Sequence, residues 1–460
     1  MSEALGPRAT QPDVIIVGGG MAGLSAAMAL RPRSVLVLEA DTRPGGRLLS
    51  QPAGDYWLNM GAHMFGAPET PVGRLLDELR IEAPPIAGRL MGMSYRGRRL
   101  IDTPAEAFPF VLPLSLSERL SFVRMGLKLR LGSERLSLEL RPRPNETAAG
   151  RRARLLAFEN TRTLADYIGP LGPDSAAILA AITERNGAHP EEMAAGHGLR
   201  SFGNVWTRHA PGRNVTGGSA RLPQAMAHAL GSSLRLGCEV LSVRQEAAGV
   251  SVTFAEQGRT TTVLAKAAIV ATPAFVSRRI IAGLPETVAT ALDTIRYGAF
   301  VTAGVLTSET GHMPWDRTYA MATPGRRFSV MFNMATTLRR GARRPGGSLM
   351  LFAGARGAVP LLALSDGQIA ELFAADLIAE FPEMRGRIQH IVVQKWSAGA
   401  PFSAPGRALV QTALAAPIGR IVLAGDYLEF PNIEAAVSTG QEAAATIAAM
   451  LGKMGSAGGT

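Results

Sequence analysis

Three glycines and one acid could do chemistry here without any catalytic side chain. Gly18, Gly20 and Gly23 fall on the spacing G-x-G-x-x-G, and Glu39 stands about twenty residues beyond the first of them. Gly18 permits a sharp turn, Gly20 lets backbone approach a pyrophosphate, and Gly23 lets two elements pack closely. The amides of Met21 and Ala22 then open a helix towards phosphate oxygens. Glu39, followed by Ala40, can accept hydrogen bonds from ribose hydroxyls. A carboxylate there repels a 2′-phosphate, which disfavours NADP. Glycine-rich turns also serve pure packing, so the acid and the flanking elements carry the reading.

Those elements are legible in the same stretch. Val14–Val17 is an apolar run of strand length, the alanine-rich residues up to Leu30 read as a helix, and Ser34–Leu38 reads as a buried strand ending on Glu39. Strand, tight turn, helix and strand make the repeating unit of a doubly wound domain.

Further motifs follow in order. Arg43-Pro44-Gly45-Gly46-Arg47 sets two glycines, which allow backbone closer to a ligand than a side chain would, beside an arginine suited to a diphosphate. Tyr56–Gly66 holds Gly61, Ala62 and His63, Gly217–Met226 leads into a helix, Glu239-Val240 begins a strand, and Ala268–Pro273 runs through Thr272. Lys395-Trp396 leads through Ala400-Pro401 to Pro405-Gly406. Ile421–Tyr427 ends a strand on Gly425-Asp426, and Pro431–Gly440, with Asn432, Ile433 and Ala436, opens an alanine-rich helix.

Together these motifs resemble the superfamily of flavin-containing amine oxidases, protoporphyrinogen oxidases and carotenoid (phytoene) desaturases. The resemblance implies FAD and an α/β fold, a Rossmann-like FAD-binding domain of GR2 type with an inserted α+β substrate domain. It implies that Gly45, Gly46 and Arg47 line the FAD, that Gly61, Ala62 and His63 pass close to the flavin ring, and that Val240 meets the adenine end through its backbone. Thr272 and Trp396 belong to the cofactor's surroundings. Gly425 and Asp426 hold the ribityl and phosphate region, and the helix start at Asn432, Ile433 and Ala436 faces the flavin pyrimidine, where its N–H groups suit the charge of a reduced ring.

Departures from the pattern matter as much. Monoamine oxidases place a flavin-linking cysteine and a cage tyrosine where this chain has Ala398 and Gly399. The other cage tyrosine matches Asn432, the lysine that bonds a water near the flavin matches Thr302, and Asn59 stands where an aspartate is common. The resemblance therefore implies no aromatic cage and, with Cys238 lying elsewhere, FAD bound without a covalent link. Two catalytic candidates remain: His63 as a polar group near the flavin, for which a packed structural role is equally open, and Lys395 as a group that positions water.

Composition sets bounds. The 460 residues, 47% hydrophobic, are enough for two domains with cores and argue against disorder. We expect an FAD-binding domain from 12–85, 211–290 and 385–452, a substrate domain from 86–210 and 291–384, and flexible tails at 1–11 and 453–460. The net charge of +11 is dispersed, with no nucleic-acid motif and no metal-ligand cluster. A single cysteine and a polar start without a hydrophobic signal region predict a cytoplasmic protein, and no apolar stretch is long enough to span a bilayer.

In the substrate region, Ser117–Leu131 has helical periodicity, with Leu120, Val123, Leu127 and Leu131 on one face and Arg119, Arg124, Lys128 and Arg130 elsewhere. We expect that face to turn to the core, peripheral docking on an anionic bilayer being the alternative. Arg141–Arg154 reads as a basic loop, and Arg339, Arg340, Arg343 and Arg344 as a solvated one. The expected function is hydride removal from a C–H of a largely apolar small molecule to FAD, with O2 or another acceptor taking the electrons, closest to the protoporphyrinogen oxidase and desaturase branch. An amine oxidase without the cage, and an FAD-binding or peripheral membrane protein without turnover, are the alternatives.

Overall fold

Five short strands, four of them made only of Val, Ile, Leu and Ala and the edge strand of Leu and Arg, pair in parallel because such sheets are covered on both faces and reward unbroken apolar runs. In the computed structural model, which describes residues 11–86, 89–101, 103–203, 205–206, 212–339 and 343–457, their order is Ile421–Leu423, Ala267–Val270, Val14–Val17, Val35–Leu38 and Leu234–Arg235. Val14 is in register with both Ala267 and Val35. The helices Met21–Leu30 and Ile433–Ala457 belong to the same compact unit, formed by Met1–Arg47, Leu222–Ile295 and Val410–Thr460. A Cβ on Gly440 would stand 2.1 Å from the Ala22 carbonyl oxygen, so glycine there lets the two helices meet backbone to backbone. A four-stranded sheet of Arg259–Ala265, Val250–Glu256, Cys238–Gln245 and Ile281–Ala282 completes this unit.

The second unit comprises Leu48–Arg221 and Arg296–Leu409. Its seven-stranded sheet runs Ile388–Phe402, Arg296–Thr307, Gly347–Gly354, Val330–Asn333, Thr318–Ala322, Arg89–Tyr95 and Arg98–Leu100. The helix Asp366–Glu380 buries Ile369, Phe373 and Leu377 among residues of this sheet. A second apolar cluster packs Phe122, Met125, Leu129, Leu136, Ile178, Leu179 and Leu199.

Residues 48–85, 212–221 and 385–409, grouped on sequence with the nucleotide fold, pack here with the second unit, and 291–295, grouped with the substrate domain, pack with the first. The reason is pairing: Ser348 Oγ donates to the Trp57 carbonyl, and Ile388–Phe402 is an edge strand hydrogen-bonded to Arg296–Thr307. Of the expected tails, residues 1–10 and 458–460 lie outside the described residues, while 453–457 are not a tail but the last turn of the helix Ile433–Ala457. Among the described residues no helix is long and apolar enough to cross a membrane, and no group of three or more His, Cys, Asp or Glu could hold a metal ion.

Three sequence expectations need correction. The stretch 141–154, expected as a basic loop, is helical from Ala148 onward, in the helix Ala148–Ala157 capped by Thr147. The helix expected over 117–131 runs Leu116–Leu140 and buries the other stripe, Phe122, Met125, Leu129 and Leu136, leaving Leu120, Leu127 and Leu131 exposed. It carries two apolar stripes, and periodicity alone cannot say which one faces the core. Arg339 and Arg343 are not solvated either, whereas Arg344 is exposed and Arg340 lies outside the described residues. Arg339 and Arg343 have side chains only 10% and 15% exposed, and both pair with Glu309 and Asp316.

Candidate functional site

In the first unit the glycine turn is tightly determined. Gly18 has φ +105°, and a Cβ there would lie 2.9 Å from the Ala271 carbonyl oxygen and 3.5 Å from Thr272 Cγ2. A Cβ on Gly23 would stand 1.9 Å from the Gly18 carbonyl oxygen. Gly20 differs: it is the N-cap of Met21–Leu30, and a Cβ there would meet nothing within 4 Å. No side chain caps this helix and no acid stands in its first turn, so the amides of Met21, Ala22 and Gly23 can turn to an anion.

Around this turn the other motifs assemble. Glu39 accepts from the N–H of Gly19 at 2.5 Å and of Asp41 at 2.8 Å, which anchors the carboxylate and leaves lone pairs for ribose hydroxyls. Its own carbonyl accepts from Cys238 N–H at 2.8 Å, which brings the strand carrying Val240 alongside. The register of that strand slips between Val240 and Ser242, so a backbone group is freed from the ladder there. Ala40 follows the acid, exposed. Cys238 is buried, and desolvation together with Glu256 holds its thiol up at about 11, far from the thiolate a covalent flavin link would use.

Gly45 N–H donates to the Gly19 carbonyl at 2.8 Å, and Gly46, φ +54°, lies with its Cβ position 3.4 Å from Gly20 Cα. Arg47 Nη2 then meets Asp426 Oδ1 at 2.7 Å, a pair 379 residues apart in sequence that sequence reading did not anticipate. Gly425 N–H donates to Thr439 Oγ1 at 3.1 Å. Asn432 caps the last helix through Ala435 N–H at 2.6 Å, with Ala436 N–H donating to its carbonyl at 3.2 Å and Ile433 buried beside it. The open space over Gly20, the uncapped amides and the Arg47 guanidinium fit a dinucleotide diphosphate. FAD would be held there by Gly18–Gly23, Glu39, Gly45–Arg47 and Asp426.

Replacing Asp426 by asparagine is expected to lower stability by about 1–3 kcal/mol, because its side chain is 9% exposed and the charge partner is lost. A double-mutant cycle with Arg47→Ala measures the coupling, and additive losses would contradict it.

In the second unit the buried Asn59 explains its departure from the family pattern. Its Nδ2 donates to the Gly61 carbonyl at 2.8 Å while Oδ1 accepts from Ser219 Oγ at 2.9 Å, a dual role an aspartate could not fill. His63 Nδ1 lies 2.9 Å from the same Gly61 carbonyl, which can only accept, so Nδ1 carries the proton and Nε2 keeps a lone pair. Desolvation pulls the imidazole down to about 4, although the ring remains only half-buried by accessible surface. Its ring packs edge-on against Phe332 at 4.8 Å and Tyr319 at 6.0 Å. Ala62 is exposed and Gly61 buried.

Trp396 and Lys395 are separated by strand alternation. Trp396 Nε1 donates to the Met60 carbonyl at 3.0 Å, which also accepts from Thr302 Oγ1 at 2.7 Å. Lys395 points the other way, donating to the Leu364 carbonyl and pairing with Asp366 at 3.2 Å. The structure thus gathers Met60, Thr302 and Trp396 and leaves Lys395 outside that group. Tyr319, Phe332, Phe300 and Phe352 were not singled out on sequence. Thr318–Ala322, buried at every position, lacks the alternation that flags a strand.

A family model described as flavin containing amine oxidoreductase matches residues 21–448, and the chain belongs to that family of FAD-dependent oxidoreductases. It is 29% identical over 294 residues to an L-amino acid dehydrogenase of Synechocystis sp., covering 58% of this chain and 57% of that protein. It is 41% identical over 76 residues to a putrescine oxidase of Kocuria rosea, covering 16% of each. The chain thus matches only a little over half the length of the first of these relatives and less of the second. Among solved structures, cyclohexylamine oxidase from Brevibacterium oxydans superposes with a TM-score of 0.75 over 96% of this chain and 100% of that one at 20% identity, a likeness of fold.

Proposed function

We propose that the chain oxidises an apolar amine at the carbon next to its nitrogen, with oxygen or another acceptor removing the electrons. Bound FAD supplies the hydride acceptor. The first unit holds the dinucleotide through its glycine turn, Glu39 and Arg47. The second unit selects the substrate, with Gly61, Ala62 and His63 taking the place near the flavin that the family resemblance assigns them.

The observation that carries this reading is the aromatic packing of His63, on which no charged side chain acts among the described residues. A neutral imidazole against Phe332 and Tyr319 offers Nε2 as an acceptor for a substrate N–H, while such a setting disfavours an ammonium ion. With its pKa near 4, His63 orients an amine and does not carry a proton at neutral pH. Anaerobic bleaching of the flavin by cyclohexylamine tests this. The rate should rise with pH as free amine accumulates, with no inflection from His63 between pH 5 and 9. A rate falling with pH would contradict it.

A second reading, oxidation of an allylic or ring C–H as in protoporphyrinogen oxidases and desaturases, draws support from Asn432 and Thr302. Both stand where amine oxidases use a tyrosine and a lysine, and both are engaged with backbone. Bleaching by a porphyrinogen or a polyene, with none by any amine, would select it.

A further inference from the structure

The feature that neither fold nor site absorbs is the outer face of the helix Leu116–Leu140. At about 100° per residue, Leu116, Leu120, Leu127, Leu131 and Leu138 fall within an arc of about 60°, and they are 75%, 65%, 60%, 64% and 58% exposed. Leucine is seldom left so open along about six turns, and contiguous apolar surface of this kind marks an interaction site. Phe110, 64% exposed, precedes the helix in the short turn Phe108–Val111.

The charges beside the stripe say what covers it. On the same wheel Arg119 and Arg130 lie along one edge, and Arg124, Lys128 and Arg135 along the other. Arg124 and Lys128 donate to the carbonyls of Pro170 and Ile168, which do not neutralise them. Arg130 has a 3.5 Å contact with Glu106, and Arg135 pairs with Glu159. Residues 116–154 hold ten Lys and Arg against four Glu, an excess of six out of the net +11 of the whole chain. Glu134 interrupts the stripe, so its continuous part is Leu116–Leu131.

From this we infer that the helix Leu116–Leu140 lies on an anionic lipid bilayer, its leucines entering the headgroup boundary and its flanking arginines meeting lipid phosphates. An apolar stripe bordered by cations on both sides is the surface that such interfaces bind. A second copy of the chain is the weaker occupant, because a two-fold arrangement would set arginine rows against arginine rows. The contact is peripheral, since among the described residues no helix could cross the membrane.

The test is co-sedimentation of the full-length flavoprotein with vesicles of phosphatidylcholine, alone or mixed with an equal part of phosphatidylglycerol. Binding to the mixed vesicles, weakened by salt and at least about tenfold weaker on phosphatidylcholine alone, is expected. The variant Leu120→Ser, Leu127→Ser, Leu131→Ser should lose at least about tenfold in partitioning, because each leucine buried adds to it. The variant Arg119→Gln, Arg124→Gln, Arg130→Gln should lose the preference for the anionic lipid. None of the six residues belongs to the nucleotide cradle, and all but the half-buried Arg119 are exposed, so both variants should keep their flavin spectrum and melting temperature. Failure of the parent protein to bind, leucine variants that bind equally, or a parent dimer that these serines dissociate would overturn the inference.

Discussion

Replacing Gly20 by alanine is expected to remove FAD from the protein while leaving the apoprotein as stable as before. Gly20 has φ −74°, an ordinary value for any residue, and its added methyl touches nothing of the protein within 4 Å. The methyl would occupy the approach to the helix amides, where a diphosphate must come within hydrogen-bond distance of backbone. A loss of at least about a hundredfold in FAD affinity, some 2.7 kcal/mol or more, should appear by titration of the apoprotein with FAD. Gly23→Ala is the contrast: its methyl would stand 1.9 Å from the Gly18 carbonyl oxygen, so helix and strand must separate. That variant should lose about 3 kcal/mol or more of apoprotein stability as well as flavin. Equal apoprotein melting temperatures for the two variants would contradict this division of labour.

The second large effect lies in the other unit. Glu309 is 1% exposed and sits 3.5 Å from Arg339 and 3.8 Å from Arg343, which also share Asp316. Among the described residues these distances pair the charges without a hydrogen bond to the Glu309 carboxylate. Arg339 further donates to the Tyr56 hydroxyl at 3.2 Å and the Gly346 carbonyl at 2.9 Å, so the quartet ties the hairpin Ser50–Asn59 to the sheet. Glu309→Ala leaves two buried guanidinium groups sharing one carboxylate, and such losses cost about 3–5 kcal/mol. Denaturant unfolding should show it, with Glu309→Gln still destabilised because an amide restores volume and not charge. A loss below about 1 kcal/mol would mean that solvent reaches the arginines.

How far sequence reaches depends on which atoms do the work. The glycine turn is legible because its chemistry belongs to the backbone, and only glycine meets demands such as the Gly18 φ and the Gly23 contact. The Arg47–Asp426 pair is not, because nothing local links residues 379 apart; only the two motifs that carry them are visible. Lys395 shows a different limit. Strand alternation dictates that it and Trp396 face apart, but Ile388–Phe402 becomes identifiable as a strand only through its pairing with Arg296–Thr307. The helix Leu116–Leu140 shows another, since both of its stripes satisfy helical periodicity and tertiary packing selects one. The arginines near 340 look like a solvated run until Glu309 and Asp316, some thirty residues upstream, are folded against them.

The most direct measurement is of the cofactor itself. The purified protein should be yellow, carry one FAD per chain, and release that FAD intact into solution when it is denatured. A colourless protein that stays colourless after its apoprotein is incubated with excess FAD would contradict the dinucleotide cradle, and flavin that remains attached to the denatured chain would contradict its non-covalent form.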